Sequence, residues 1–141
     1  MARPLQVAVD CADPARLARF WADVLSYRLD DPPAGYPSWS AFSAAVGEAG
    51  EAWSALVDPD GVGPWMLFHQ VAEGKVVKNR VHLDVRVSGA GRVPPDERRR
   101  LVDAEVDRLV AAGAAHLRTV EDETDYFAVL QDPEGNEFCI N

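Results

Sequence analysis

The chain has 141 residues, 48% hydrophobic and 26% charged, with a formal net charge of −9. That size and composition predict one soluble globular domain whose core needs no disulfide or structural metal. The excess of acid argues against nucleic acid or an anionic membrane as partner.

No apolar run approaches the ~20 residues that span a bilayer, and no signal-peptide layout opens the sequence, so the expected compartment is the cytoplasm. Cys11 and Cys139 fit no CxxC or zinc spacing, which predicts two reduced thiols.

Residues 5–11 alternate, with Leu5, Val7, Val9 and Cys11 on one face and Gln6, Ala8 and Asp10 on the other, and read as a first strand. Asp13-Pro14 then offers a capping carboxylate followed by proline at the first helical position. Leu17, Phe20, Trp21, Val24 and Leu25 recur at helical spacing and predict a helix of about three turns. After Tyr27 the prolines and the glycine of 32–37 predict a loop. Ser38–Val46 and Trp53–Val57 read as strands around a Gly47–Gly50 turn, and Asp58-Pro59-Asp60-Gly61 turns the chain into a strand over Trp65–Val71.

From Asn79 the order begins again. Val81, Leu83, Val85 and Val87 alternate with Arg80, His82, Asp84 and Arg86, predicting a strand over 80–87 whose polar side either faces water or lines a cavity. A linker leads to a helix from about Pro95 to Ala112, with Val102, Val106, Leu109 and Val110 on its apolar side and Gly113 closing it. Arg98-Arg99-Arg100 sits among acids and reads as a solvated helix face. Strands near His116–Val120, over Tyr126–Gln131 and over Glu137–Ile140 follow, the last two joined by Asp132-Pro133-Glu134-Gly135.

Ala55-Leu56-Val57-Asp58-Pro59-Asp60-Gly61 thus recurs as Val129-Leu130-Gln131-Asp132-Pro133-Glu134-Gly135. The repeat predicts an α+β fold in which residues 1–141 form a single domain of two βαβββ modules, about 3–73 and about 78–141. Curved mixed sheets would enclose a cup, with the helices outside. On the sheet faces away from the helices, three strands carry a coordinating side chain: Gln6, His82 and Glu137.

Val9-Asp10-Cys11-Ala12-Asp13-Pro14 with Phe20-Trp21-Ala22-Asp23-Val24-Leu25, then Lys78-Asn79-Arg80-Val81-His82-Leu83-Asp84, then Leu130-Gln131-Asp132-Pro133-Glu134-Gly135-Asn136-Glu137-Phe138 carry a resemblance over residues 3–140. The chain resembles the glyoxalase-like branch of the vicinal oxygen chelate superfamily. Its members include glyoxalase I, extradiol dioxygenases, epimerases, fosfomycin-inactivating thiol transferases and metal-free proteins that sequester bleomycin. The resemblance implies paired βαβββ modules around a pocket, often with a divalent metal, and commonly a homodimer. It assigns Gln6, His82 and Glu137 to ligand positions and makes Glu137 the candidate catalytic group. Glyoxalase I adds a fourth-strand glutamate, and Trp65–Val71 contains no carboxylate; His69 would substitute only if it shared the inward face with Trp65 and Leu67.

Imidazole, carboxylate and amide oxygen with water suit Zn, Ni, Mn or Fe acting as a Lewis acid on a small oxygenated molecule, in a lyase, isomerase or transferase. Gln6 in place of a first histidine makes oxygen activation the less expected chemistry. Trp39, Trp53, Trp65, Phe68 and Tyr126 are the candidate substrate-binding walls, suited to a flat or apolar small molecule. The alternative is a metal-free binding protein of the bleomycin-resistance type that sequesters a drug or metabolite.

Overall fold

The alternation near the N-terminus becomes strand β1 (Gln6–Cys11) in the computed structural model, which describes residues 1–89 and 93–141. Helix α1 (Pro14–Leu25) follows directly, because Asp13 Oδ1 accepts the Arg16 N–H at 3.0 Å and Pro14 occupies the first turn at no cost in hydrogen bonds. Ser26, at φ 57°, ends it in the left-handed conformation. The unit continues through β2 (Arg28–Leu29), α2 (Trp39–Ala45), β3 (Trp53–Val57) and β4 (Trp65–Gln70). In the second half, β5 (Leu83–Val85) leads through α3 (Pro95–Ala111) to β6 (Ala115–Glu121), β7 (Tyr126–Gln131) and β8 (Glu137–Ile140).

Contacts divide the chain into two compact units, Met1–Gly74 and Lys75–Asn141. Each unit holds a four-stranded mixed sheet, in the order β1-β4-β3-β2 and β5-β8-β7-β6 respectively. Outer strand and last strand pair in parallel in both (β1 with β4, β5 with β8), and the remaining pairs run antiparallel. The predicted duplication is therefore a duplication of topology. The two turns also repeat a mechanism: Asp58 Oδ2 accepts from Val62 N and Gly63 N at 3.0 and 2.7 Å, and Asp132 Oδ1 from Glu134 N and Asn136 N at 2.9 and 3.0 Å. Gly61 and Gly135 each take positive φ, 69° and 86°, where a side chain would strain the backbone.

One face of each sheet is closed by a helix. Leu17, Phe20, Trp21 and Val24 of α1 are buried with Leu56, Met66 and Phe68 of the first sheet, and Val102, Val106 and Leu109 of α3 with Leu130, Phe138 and Ile140 of the second. Each such side chain contributes on the order of 1.5–3 kcal/mol by leaving water. No helix among the described residues is long and apolar enough to cross a membrane.

Three sequence expectations change. Ser38–Val46 is not a strand: Ser38 Oγ caps α2 by accepting from Ala41 N at 3.1 Å, and the small Ser and Ala residues between Trp39 and Phe42 let the turn close. The loop after Tyr27 contains the two-residue strand β2. The strand over 80–87 shrinks to β5, because the segment before it is tied down by its polar groups, with Asn79 N donating to Glu137 Oε2 at 3.0 Å and Val81 left 74% exposed. The linker predicted before α3 includes residues 90–92, which lie outside the described residues.

Candidate functional site

In the first unit, strand register decides which side chains share a face. Met66 and Phe68 turn to the α1 side and are buried, so by alternation Trp65, Leu67 and His69 face the other way, where none is buried. The β1–β4 register places Gln6 beside Trp65, Ala8 beside Leu67 and Asp10 beside His69, and the β3–β4 register sets Trp53 against His69. His69 therefore shares the face of Gln6, Trp65 and Leu67. Phe68, expected as a binding wall, is instead a core residue at 0% exposure, one position out of phase with that face.

Helix α2 extends this surface with aromatic rings. Phe42 meets Tyr36, Trp39 and Trp53 edge to face, with centroids 5.3, 6.0 and 6.1 Å apart. Trp53 in turn stacks on the His69 imidazole at 3.8 Å and 13°. Asp30 orients two indoles: its carbonyl accepts from Trp39 Nε1 at 3.0 Å and its Oδ2 from Trp65 Nε1 at 2.8 Å. Glu48 Oε1 lies 2.8 Å from His69 Nε2. The result is a row of fixed, partly exposed flat rings with one imidazole edge and one carboxylate among them, an arrangement suited to stacking a planar molecule. Two polar atoms here, Glu48 Oε2 and Trp53 Nε1, are buried without a hydrogen-bond partner among the described residues.

In the second unit the face away from α3 carries Glu137 and Cys139, in register with Gln131 and Val129. Glu137 Oε2 accepts from Asn79 N at 3.0 Å and lies 3.2 Å from Lys75 Nζ. Burial works to raise its pKa, but the N–H groups of Asn79 and Glu137 itself, with Lys75, outweigh that and hold the carboxyl below the usual range. His82 sits just before β5. Its Nε2 accepts from Lys78 Nζ at 3.0 Å, and its Nδ1 lies 4.0 Å from Cys139 Sγ. Burial, then Asp84, pushes the Cys139 thiol up to about 11.

Both donors of this unit are engaged by cations of the chain itself. The lone pair of His82 Nε2 and a carboxylate oxygen of Glu137 are each engaged by a lysine ammonium, so a cation of the chain already stands where an ion would coordinate. Among the described residues, no three His, Cys, Asp or Glu side chains gather as metal ligands. Gln6, the third expected ligand, belongs to the first unit and is exposed on β1.

Tyr126 also departs from expectation. It shares the phase of Ala128 and Leu130, so it lies on the α3 side, where its hydroxyl donates to Asp103 Oδ1 at 2.6 Å and Arg99 sits 5.8 Å from its ring centre. It lines a surface cavity of about 260 Å³ with Arg98, Arg99, Asp122 and Asp125. Both arginines there are already paired, Arg98 with Asp125 and Arg99 with Glu121 and Asp96. Phe127, one residue on, takes the face of Glu137.

Sequence reasoning missed Asp30, Phe42, Glu48, Lys75 and Lys78. Phe42 was legible as the i+3 partner of Trp39 once Ser38 is read as a helix cap. Lys78 stands four residues before His82, but Glu48 and Asp30 act across 21 and 35 residues, a separation that no local pattern reports.

The glyoxalase-like domain family model matches residues 6–141. No functionally curated protein matches the chain in sequence. Among solved structures, a glyoxalase/bleomycin resistance protein/dioxygenase family enzyme from Burkholderia phytofirmans PsJN is similar at 20% identity and TM-score 0.62, covering 96% of this chain and 94% of its own. The fosfomycin resistance protein FosX from Mesorhizobium loti is similar at 13% identity and TM-score 0.60, covering 99% and 92%. A mutant of the genomically encoded FosX from Listeria monocytogenes, complexed with Mn(II) and 1S,2S-dihydroxypropylphosphonic acid, is similar at 12% identity and TM-score 0.64, covering 100% and 90%. At these identities the likeness is one of fold.

Proposed function

The chain belongs to the glyoxalase-like domain family, and from that premise we propose that it binds a flat, largely apolar small molecule on the aromatic face of its first unit, without requiring a metal ion. One observation carries the proposal: Asp30 orients Trp39 and Trp65, Glu48 orients His69 and Trp53 stacks on that imidazole, yet all four rings remain partly exposed, on or beside a sheet face that α1 does not cover. Rings held this way lose little entropy on binding. A two-ring ligand covering ~200 Å² of apolar surface would gain roughly 5 kcal/mol before the cost of association, which is compatible with a sequestering protein.

The lysines support the metal-free half of the proposal, since Lys75 and Lys78 supply positive charge to Glu137 and His82. A second reading is a metal-dependent lyase, isomerase or transferase in which His82, Glu137 and Gln6 hold the ion and Glu137 is catalytic. It is favoured by the ionised state of Glu137 and by the Mn(II) complex of a FosX neighbour. It requires both ammonium groups to move away. A second copy of this chain is the proposed partner, with Val76, Val77 and Val81, exposed at 92%, 75% and 74%, as the apolar surface that association would cover.

Thermal melting with millimolar Mn(II) or Zn(II) separates the readings. The proposal expects no rise in midpoint. A rise that disappears in His82→Ala would establish the metal-dependent reading, because an ion held only by the folded state stabilises it by mass action.

A further inference from the structure

We infer that the ligand of this face carries a hydroxyl group on its ring, and that His69, oriented by Glu48, selects for it; the inference rests on the aromatic-face reading above. A carboxylate only accepts, so the proton between His69 Nε2 and Glu48 Oε1, 2.8 Å apart, belongs to the imidazole. In the neutral ring that leaves Nδ1 as a lone-pair acceptor. Trp53 fixes the plane of the ring by stacking at 3.8 Å, and Glu48 fixes its rotation within that plane. The side chain remains 30% exposed, so its free edge is open to a ligand.

The two residues that hold His69 also own two of the buried polar atoms that lack partners among the described residues. Glu48 Oε2 is an acceptor and Trp53 Nε1 a donor. Both atoms are enclosed, so what a ligand meets is the exposed imidazole edge, whose Nδ1 lone pair calls for a donor, and a hydroxyl is the smallest neutral group that donates there. The charges nearby disfavour an anion. Arg28 lies 3.8 Å from Asp30 and offsets it, but Asp10 lies opposite His69 in the strand register and Glu48 bonds His69 itself, so a carboxylate or phosphate at the imidazole would meet like charge. A neutral hydroxyl on a flat ring, the phenol class, donates to Nδ1 without that repulsion.

Fluorescence and calorimetric titration with 2-naphthol and 2-methoxynaphthalene test this, because the two probes share a ring system and differ in the hydroxyl proton. Expected are binding of both and a preference of about tenfold or more for the naphthol. His69→Phe, which keeps a flat ring for Trp53 to stack on, should bring the two affinities within about twofold while leaving the methoxy compound bound. Equal binding of both probes by the unaltered protein would overturn the inference and leave the aromatic face standing, without recourse to any variant. Persistence of the preference in folded His69→Phe would overturn the role of His69. Failure of both probes to bind would sink the aromatic-face reading and this inference with it.

Discussion

Ser43→Ala should loosen the aromatic surface from the sheet that carries it. Ser43 is fully enclosed, and its Oγ donates to the Trp39 carbonyl at 2.9 Å and accepts from Ala52 N at 3.0 Å, joining α2 to the residue before Trp53. Alanine removes the hydroxyl to which the Ala52 N–H donates, at a residue 2% exposed. A buried donor left unpaired costs about 1–3 kcal/mol, and the second lost bond about 0.5–1 kcal/mol. The Trp39 carbonyl keeps its helical backbone partner, so the total should be about 2–3 kcal/mol. With a urea slope of ~2 kcal/mol per molar, the midpoint followed by far-UV circular dichroism should fall by roughly 1–1.5 M. The near-UV tryptophan signal should weaken as Trp39 and Phe42 lose their fixed approach to Trp53. A midpoint within ~0.2 M of the parent would refute the reasoning, because it would mean that the Ala52 N–H was never dependent on Ser43.

Two further expectations concern titrating groups in the second unit. Glu137 has a folded pKa below its unfolded value, so its contribution to stability is present above the unfolded pKa of about 4.3 and is lost as pH falls through the depressed folded value. Glu137→Gln should flatten the acid limb of a stability-against-pH curve, and an unchanged limb would show that the carboxylate gains nothing from Asn79 and Lys75. Cys139, with its thiol at about 11, should be nearly inert in the native protein. At pH 8 such a group is thiolate only about one part in a thousand, so reaction with a chromogenic disulfide should be slow until urea is added. Cys11 is buried as well, at 3% exposure, so rapid native labelling would contradict the burial of both cysteines.

Much of the fold could be read from the sequence because its signals are local and repeated. The Asp13-Pro14 cap, the stripe from Leu17 to Val24 and the two Asp-Pro-acid-Gly turns each specify a conformation within a few residues. Helix α2 escaped because aromatic and β-branched residues flank a seven-residue helix whose stabilisation comes from tertiary contacts, chiefly Ser43 with Ala52 and Phe42 with Trp53. Trp53 and Trp65 were singled out as residue types in the irregular first half of the chain, and the strand register sets both on the face of His69. The reading slipped by one position at Phe68 and at Tyr126, each of which alternation assigns to a helix-covered face. The partners that give His69 and Glu137 their present roles come from distant loops and that of His82 from the irregular segment four residues before it, and a strand pattern says nothing of what such a segment places against it.

The measurement that bears most directly on the account is calorimetric titration of a flat two-ring aromatic into the protein in the presence of EDTA, for the parent chain and for Trp53→Leu. The account predicts binding that is indifferent to the chelator and weakened at least about tenfold by the loss of the indole that stacks on His69. Binding that needs added Mn(II) or Zn(II), survives Trp53→Leu and vanishes in His82→Ala would contradict it and transfer the function to the lysine-capped donors of the second unit.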